Sequence, residues 1–128
     1  MRHYPKEFGG LLIGRYSHDK KTCYVTDTIL PKKYSSSRST FERGKEGLKK
    51  KLVEFYNNDP PLIYIGEWHT HPDSKPEPSE TDKQAMQEIS EHENVTIQNP
   101  ILLIIGVNKQ RYEPKFYLSL NNKLYEYE

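Results

Sequence analysis

Cysteine is nearly absent from this sequence: Cys23 is the single thiol among 128 residues. No disulfide can therefore form within the chain, and the composition suits a reducing compartment. Cys23 lies in a run of strand-forming residues, where a lone cysteine usually acts as a small core side chain. We interpret it as a packing residue rather than as a nucleophile.

Long hydrophobic runs are also missing. The first ten residues, MRHYPKEFGG, contain no apolar stretch of the kind that a secretory signal needs. The longest uninterrupted apolar run, ILLII at 101–105, is too short to span a bilayer. We therefore expect a soluble cytoplasmic protein without a membrane-bound segment.

An excess of one charge sign is the third feature that the chain lacks, because its formal net charge is +1. This balance supplies no general attraction to nucleic acid or to an anionic membrane, and we expect neither as a partner. Lysines do cluster locally, at 20–21, 32–33 and 49–51. Solvated faces explain these clusters, and a docking surface for an acidic partner is the alternative.

The apolar pattern predicts an α/β chain. Strands are expected where β-branched and aromatic residues concentrate, and helices where apolar residues recur at helical spacing. The predicted order is β-β-α-β-α-β-β, with strands at 9–16, 21–30, 62–71 and 101–107, a C-terminal hairpin within 115–128, and helices at 45–58 and 79–93. The unbroken apolar run at 101–107 predicts a central strand covered on both faces. Segment 31–44 is predicted to be an irregular loop, and the length predicts one domain over 1–128.

Two histidines stand at the end of the third predicted strand, in the stretch GEWHTHPDSKPEPSETD. Alternate residues of a strand share a face, so His69 and His71 project together and can bind one ion. Asp82 falls in the first turn of the next helix, which the proline-rich loop can return to the strand end. Three protein ligands leave one coordination position open, which is typical of a catalytic zinc.

Each part of this pattern also has a simpler explanation. Ser79 and Asp82 form a variant of the helix N-terminal capping box, and a lone His-x-His at a strand end is usually a surface feature. The combination, with a proline after His71 and another before Ser79, is much harder to obtain by coincidence. Capping and metal binding by Asp82 are also compatible.

The spacing His69-x-His71, seven residues, Ser79, two residues, Asp82 resembles the JAMM (MPN+) metalloprotease motif. That family carries an upstream glutamate followed by a glycine-rich strand, and Glu7 in EFGGLLIG matches this element. The resemblance covers essentially the whole chain and implies the JAB/MPN fold, which is cytidine-deaminase-like. RSTFER at 38–43 and YIGEWHTHP at 64–72 resemble a bacterial branch encoded near integrative elements and antiphage operons.

The resemblance implies a zinc-dependent peptidase or isopeptidase. His69, His71 and Asp82 would hold Zn²⁺, Glu7 would be the general base, and Ser79 would stabilise the oxyanion. The implied substrate is a ubiquitin-like or otherwise conjugated protein, cut at a C-terminal tail. The family places a groove-lining insertion at 31–44, and we expect that segment to order around the tail.

The chain departs from the family pattern at its start, because family members usually have a helix before the glutamate and only six residues precede Glu7. We expect one sheet face to be less covered, which favours a homo-oligomer. Glu67 shares the face of His69 and is either a residue that orients it or a surface residue. Trp68 is expected in the core or in the substrate wall.

Two other functions are consistent with parts of this pattern. Many MPN domains lack the metal residues and act as non-catalytic scaffolds, but all five motif residues are present here. A zinc deaminase needs a His-x-Glu and a Pro-Cys-x-x-Cys signature, which a chain with one cysteine cannot supply.

Overall fold

A computed structural model describes residues 4–31, 34–36, 41–43, 47–91, 99–121 and 123–127 of the chain. Within these ranges, strands and helices alternate much as the apolar pattern predicts. The elements are β1 (Gly9–Tyr16), β2 (Cys23–Ile29), β3 (Tyr34–Ser36), β4 (Phe41–Arg43), α1 (Leu48–Tyr56), β5 (Ile63–Pro72), α2 (Glu80–Glu91), β6 (Ile101–Val107), β7 (Tyr112–Leu120) and β8 (Lys123–Glu126).

Six strands form one sheet in the order β2-β1-β5-β6-β7-β8. β5 and β6 run parallel, and the other neighbours run antiparallel. A parallel pair needs a crossover connection, and here the connection contains α2. The predicted mixed sheet with packed helices is confirmed.

The prediction of an irregular loop at 31–44 is wrong in part. β3 and β4 pair antiparallel within it, with Tyr34 opposite Arg43 and Ser36 opposite Phe41. Three serines in a row conceal the strand pattern, because serine is typical of turns and is neither β-branched nor aromatic. The remainder of this segment, apart from residue 31, lies outside the described residues, and so does most of the groove predicted there.

Both helices pack on the same face of the sheet, which we call the helix face. Leu11, Glu67 and Leu102 are lateral neighbours on β1, β5 and β6, so their side chains share that face. α1 packs against one core cluster there and α2 against a second; the clusters are Leu11, Ile13, Ile29 and Leu62, and Met86, Leu102, Ile104 and Tyr117.

The inward residues of the helices follow the predicted spacing with two exceptions. Leu48, Leu52 and Phe55 of α1 pack against the first cluster, but Val53 is exposed. In α2, Met86 is buried and Ile89 packs beside it, whereas Ala85 faces solvent, contrary to expectation. Neither helix, nor any other in the described ranges, is long and apolar enough to cross a membrane.

The opposite face carries the indole of Trp68, with Leu103 and Ile105 beside it on β6. Burial along β6 alternates: Leu102 and Ile104 are fully buried, while Leu103 and Ile105 are only half-buried. The expectation that this strand is covered on both faces is therefore wrong in part, because the face of Leu103 and Ile105 is only half-covered. The half-buried face agrees with the expected thinner cover, and self-association through it stays a prediction.

Candidate metal centre

β5 ends with the two histidines that its sequence predicts. His69 and His71 lie on the helix face, and their ring centroids are 4.9 Å apart. The two Nε2 atoms approach to 3.0 Å. β5 ends at Pro72, and the next residue, Asp73, has a positive φ of 54° that turns the chain toward α2.

Asp82 reaches the imidazoles from the first turn of α2. Its Oδ1 atom lies 3.1 Å from His69 Nε2, and its Oδ2 atom lies 3.2 Å from His71 Nε2. A reciprocal capping box fixes the helix start: Asp82 N–H donates to Ser79 Oγ, and Ser79 N–H donates to Asp82 Oδ2. The capping interpretation is confirmed, and it holds the carboxylate toward the histidines.

The donor atoms fit a zinc ion. Tetrahedral coordination with bonds of about 2.0–2.1 Å places neighbouring ligand atoms about 3.3–3.4 Å apart. The two imidazole Nε2 atoms are 3.0 Å apart, and each faces its own Asp82 oxygen, at 3.1 Å for His69 and 3.2 Å for His71, close to that edge length. Nitrogen and carboxylate oxygen donors are also the set that catalytic zinc uses.

Glu7 stands on the other side of the histidine pair. A carboxylate oxygen of Glu7 and one ring nitrogen from each of His69 and His71 lie within 4.8 Å of one another. Glu7 is only 7% exposed, which is unusual for a carboxylate so near the start of a chain. The same geometry would allow Glu7 to act as a ligand, but Asp82 contacts both imidazoles and is the closer donor.

Gly9 permits the close approach that brings Glu7 to the histidines. Gly9 is paired with His69, and a Cβ atom there would stand 2.8 Å from His69 Cβ and would collide with the carbonyl oxygen of Trp68. At Gly10 a Cβ atom would collide with the carbonyl oxygen of Ile29 in β2 and would stand 3.0 Å from the Trp68 indole nitrogen. The two glycines therefore allow close contacts of β1 with both β5 and β2.

The charges of the site are strongly coupled. Burial raises the pKa of Glu7 above its ordinary 4.5, although His69 and His71 oppose the shift. Burial also disfavours the charged forms of Asp82 and His71, but their mutual hydrogen bond and attraction prevail: the pKa of Asp82 falls far below 3.8, and the pKa of His71 rises above 6.5. The site therefore favours an ionised Asp82 beside a positively charged His71.

The loop between β5 and α2 is held against the sheet. The buried Tyr117 hydroxyl donates to the carbonyl oxygen of Pro76 at 2.6 Å, and Gly106 lies under the loop, where a Cβ atom would stand 2.7 Å from Ser74 O. His71 Nδ1 is 3.4 Å from the carbonyl oxygen of Lys75. Because a carbonyl only accepts, this contact favours the neutral tautomer with the proton on Nδ1, in which Nε2 is left for a metal.

Ser79 is exposed beside Asp82. Its hydroxyl oxygen accepts the Asp82 N–H at 3.1 Å, and a hydroxyl that accepts one hydrogen bond keeps its own O–H for donation. The structure thus brings all five predicted site residues into one region, with roles that remain proposals.

The neighbouring residues singled out in the sequence have other contacts. Glu67 accepts a 2.6 Å hydrogen bond from the Tyr64 hydroxyl. Trp68 packs edge-on against Phe8, and its indole N–H donates to Thr28 Oγ1, which agrees with a wall or core residue. Cys23 is half-buried, and burial raises the pKa of its thiol, as expected of a packing cysteine.

Sequence reasoning missed two residues that support the site. Tyr117 lies 41 positions from the loop that it holds, and no local pattern marks it. Thr70 lies between the histidines on the opposite face of β5, and its side chain contacts Phe8, the residue after Glu7. Its position between two histidines is the one signal that could have drawn attention to it.

Comparison with known proteins finds similar sequences and similar structures. A "CD-NTase/cGAS isopeptidase" of Enterobacter hormaechei is 38% identical over 101 residues, which are 78% of this chain and 55% of that protein. The chain therefore spans about half the length of this curated relative. Two solution structures share the fold: a Desulfitobacterium hafniense protein (TM-score 0.59, 20% identity, 99% of this chain and 79% of that one) and a Salinibacter ruber protein (TM-score 0.55, 17% identity, 99% and 78%).

The family itself is shown by a match over most of the sequence. Residues 1–119, which include all five motif residues, match the prokaryotic homologs of the JAB domain. The α/β architecture and the similar structures agree with that fold. This chain belongs to the prokaryotic JAB-domain family.

Proposed function

We propose that this protein is a zinc-dependent isopeptidase that releases a conjugated protein by hydrolysing the amide bond at its C-terminal tail. The observation that carries the proposal is the convergence of His69, His71 and Asp82 at 3.0–3.2 Å beside the buried Glu7. A structural zinc site closes all four positions with protein ligands. Three protein ligands with the Glu7 carboxylate nearby fit a catalytic site better than a structural one.

His69 Nε2, His71 Nε2 and Asp82 would hold the ion, which when bound would lower the pKa of water and polarise the scissile carbonyl. The chain prepares this donor set in advance. Asp82 is fixed by the capping box, and the Lys75 carbonyl sets the tautomer of His71.

Glu7 would act as the general base. Its carboxylate lies near both imidazoles, where it can accept a proton from the attacking water and then deliver it to the leaving amine. The raised pKa of Glu7 lies closer to neutral pH, which suits a group that must both take and return a proton.

Ser79 would stabilise the tetrahedral intermediate. Its hydroxyl stands at the start of α2, and its position is fixed by the bond from the Asp82 N–H. Donation of the O–H to the developing oxyanion would supply the electrostatic stabilisation that acyl transfer requires.

The substrate class is supported by the relative rather than by the pocket. That protein is named "CD-NTase/cGAS isopeptidase", and it is 38% identical over 78% of this chain. We therefore favour a conjugate whose leaving group is an amine of a second protein, with a CD-NTase-like or ubiquitin-like protein as the acyl side. A role in antiviral defence is proposed separately, on the resemblance of residues 38–43 and 64–72 to the bacterial branch encoded near antiphage operons.

The test is cleavage of a purified isopeptide conjugate by zinc-loaded protein. Glu7→Gln keeps the side-chain shape but cannot accept a proton, and we expect a loss of rate on the order of 10²–10⁴ with zinc still bound. Glu88→Gln, an exposed residue of α2, is the matched control and should keep the wild-type rate.

Two results would count against the proposal. Near-normal turnover by Glu7→Gln would remove Glu7 from the chemistry. A wild-type protein that binds the conjugate but never cleaves it would support the alternative, a non-catalytic scaffold.

A further inference from the structure

Phe8, the residue before β1, makes an unusual pair of hydrogen bonds with Thr70 of β5. Thr70 N–H donates to the carbonyl oxygen of Phe8 at 2.8 Å, as expected for antiparallel neighbours. The return bond is different: Phe8 N–H donates to the Thr70 side chain, at 3.0 Å from Oγ1. A threonine hydroxyl thus takes the place of a backbone acceptor where β1 meets the end of β5.

Thr70 is set apart from ordinary strand threonines by its burial. It is only 1% exposed and faces away from the histidines, although it stands between them in the sequence. A buried hydroxyl needs a partner, and the Phe8 amide satisfies it. The same bond gives the Phe8 amide a side-chain acceptor at the strand end.

The two bonds to Phe8 determine where Glu7 points. The Phe8 ring packs on the Trp68 indole, on the face opposite the helices. Adjacent side chains of an extended segment point to opposite faces, so Glu7 is directed to the helix face, where His69 and His71 lie. The peptide that joins Glu7 to Phe8 contains the N–H that Thr70 holds.

We propose that Thr70 is a positioning residue, whose hydroxyl holds the Glu7 carboxylate beside the two histidines through its bond to Phe8 N–H. The inference rests on the proposed function for its catalytic consequence, because a displaced base would slow proton transfer. The Thr70 side chain, between the two proposed metal ligands, thereby links the end of β5 to Phe8, 62 positions earlier, and through Phe8 to Glu7.

An isosteric substitution tests the proposal. Thr70→Val removes the hydroxyl and keeps the shape, and we expect kcat to fall about 10- to 100-fold, as for a modest misplacement of a catalytic group. KM and the zinc dissociation constant should remain within about twofold, because neither the groove nor the ligands change. Thr70→Ser keeps the hydroxyl and should restore most of kcat. If valine impairs folding, the comparison of Thr70→Ala with Thr70→Ser isolates the hydroxyl.

A double substitution separates action through Glu7 from general disturbance. In the Glu7→Gln background, Thr70→Val should lower the residual rate by less than twofold, since the group that it positions is already disabled. An undiminished effect in that background, or a zinc affinity that falls in parallel with kcat, would overturn the proposal and assign Thr70 to the histidines instead.

Amide hydrogen exchange gives a readout that does not need activity. The Phe8 amide should exchange at least about tenfold faster in Thr70→Val than in the wild type, while Thr70→Ser keeps it protected. An unchanged Phe8 amide overturns the proposal, whether or not the protein cleaves a conjugate. Accelerated exchange in a protein that never cleaves any conjugate would instead refute the proposed function and leave the positional link intact.

Discussion

Asp82 is the residue on which two structural roles converge. Its Oδ2 atom accepts the Ser79 N–H and also faces His71, while Oδ1 faces His69. A helix cap is normally a local device, but here it immobilises a carboxylate that would bind metal. Because the side chain is fixed before any ion arrives, little conformational entropy is lost on binding.

The coupled charges predict how the metal-free protein responds to pH. The pKa of His71 is raised above 6.5, so its stabilising contribution is complete below 6.5 and is lost as pH rises through the folded-state pKa. The pKa of Asp82 is lowered from 3.8, so its contribution is present above 3.8 and is lost only in strong acid.

We therefore expect the metal-free protein to lose stability as the pH rises above 6.5, measured by urea unfolding in the presence of a chelator. His71→Gln cannot titrate and should show a smaller loss over the same pH range. Equal pH slopes for the variant and the wild type would contradict the assignment.

The histidine pair predicts the metal content. We expect the wild-type protein to bind about one zinc per chain and His69→Ala with His71→Ala to bind none at the same concentration, since two of three ligands are gone. Elemental analysis after dialysis measures this. His18→Ala, in the exposed turn after β1, is the control and should retain full zinc. Undiminished zinc in the double variant would disprove the site.

Among the elements, β5 organises the site through both of its neighbours. β1 pairs along one edge and brings Glu7, while β6 pairs along the other and places Gly106 beside His71. The loop that follows β5 lies over Gly106 and is tied to β7 by the Tyr117 hydroxyl. β5, β6, β7 and this loop therefore determine where α2 begins, and hence where Asp82 stands.

The Tyr117 bond predicts a link between loop position and metal affinity. Tyr117→Phe leaves the Pro76 carbonyl without its buried donor, and we expect unfolding in urea to show a loss of about 1–3 kcal/mol. Zinc affinity, measured by competition with a chelating dye, should weaken because the loop carries Asp82 to the histidines.

Tyr112→Phe is the matched control, because the same hydroxyl is removed from an exposed residue of the same strand. We expect both its stability and its zinc affinity to equal those of the wild type. A Tyr117→Phe variant that loses stability but binds zinc normally would show that the loop anchor does not act on the site.

At the scale of the whole molecule, zinc would join segments that are distant in the sequence. The donor atoms come from β5 and α2, on either side of the loop, and they assemble only when the sheet is formed. A ligand that binds only the folded state stabilises it by mass action. Metal binding and folding should therefore be linked.

We expect zinc at 100 times its dissociation constant to add about 2.7 kcal/mol to the free energy of unfolding, which would raise the melting temperature by roughly 10 °C. Calorimetry with and without a chelator measures the shift. The His69→Ala with His71→Ala variant should melt at one temperature under both conditions. A comparable shift in that variant would place the stabilising zinc elsewhere.

The sequence alone determined the features that depend on neighbouring residues. Strand periodicity placed His69 and His71 on one face, and the Ser79–Asp82 capping box marked the start of α2. β1 and β6 agree with the predicted boundaries, since their apolar runs are bounded by glycine, proline and polar residues. Glu7 required family resemblance, because a lone carboxylate near a terminus has no local pattern.

Only the tertiary structure decided which distant residues meet. The strand order β1-β5-β6-β7 brings Phe8 to Thr70 across 62 positions and Tyr117 to Pro76 across 41. It also placed both helices on one face of the sheet. Leu103 and Ile105 on the other face are therefore only half-buried, although the unbroken apolar run of β6 predicted cover on both sides. Periodicity reports the face on which a side chain lies, but the partner of that face depends on strand pairing, a long-range contact that local patterns do not encode.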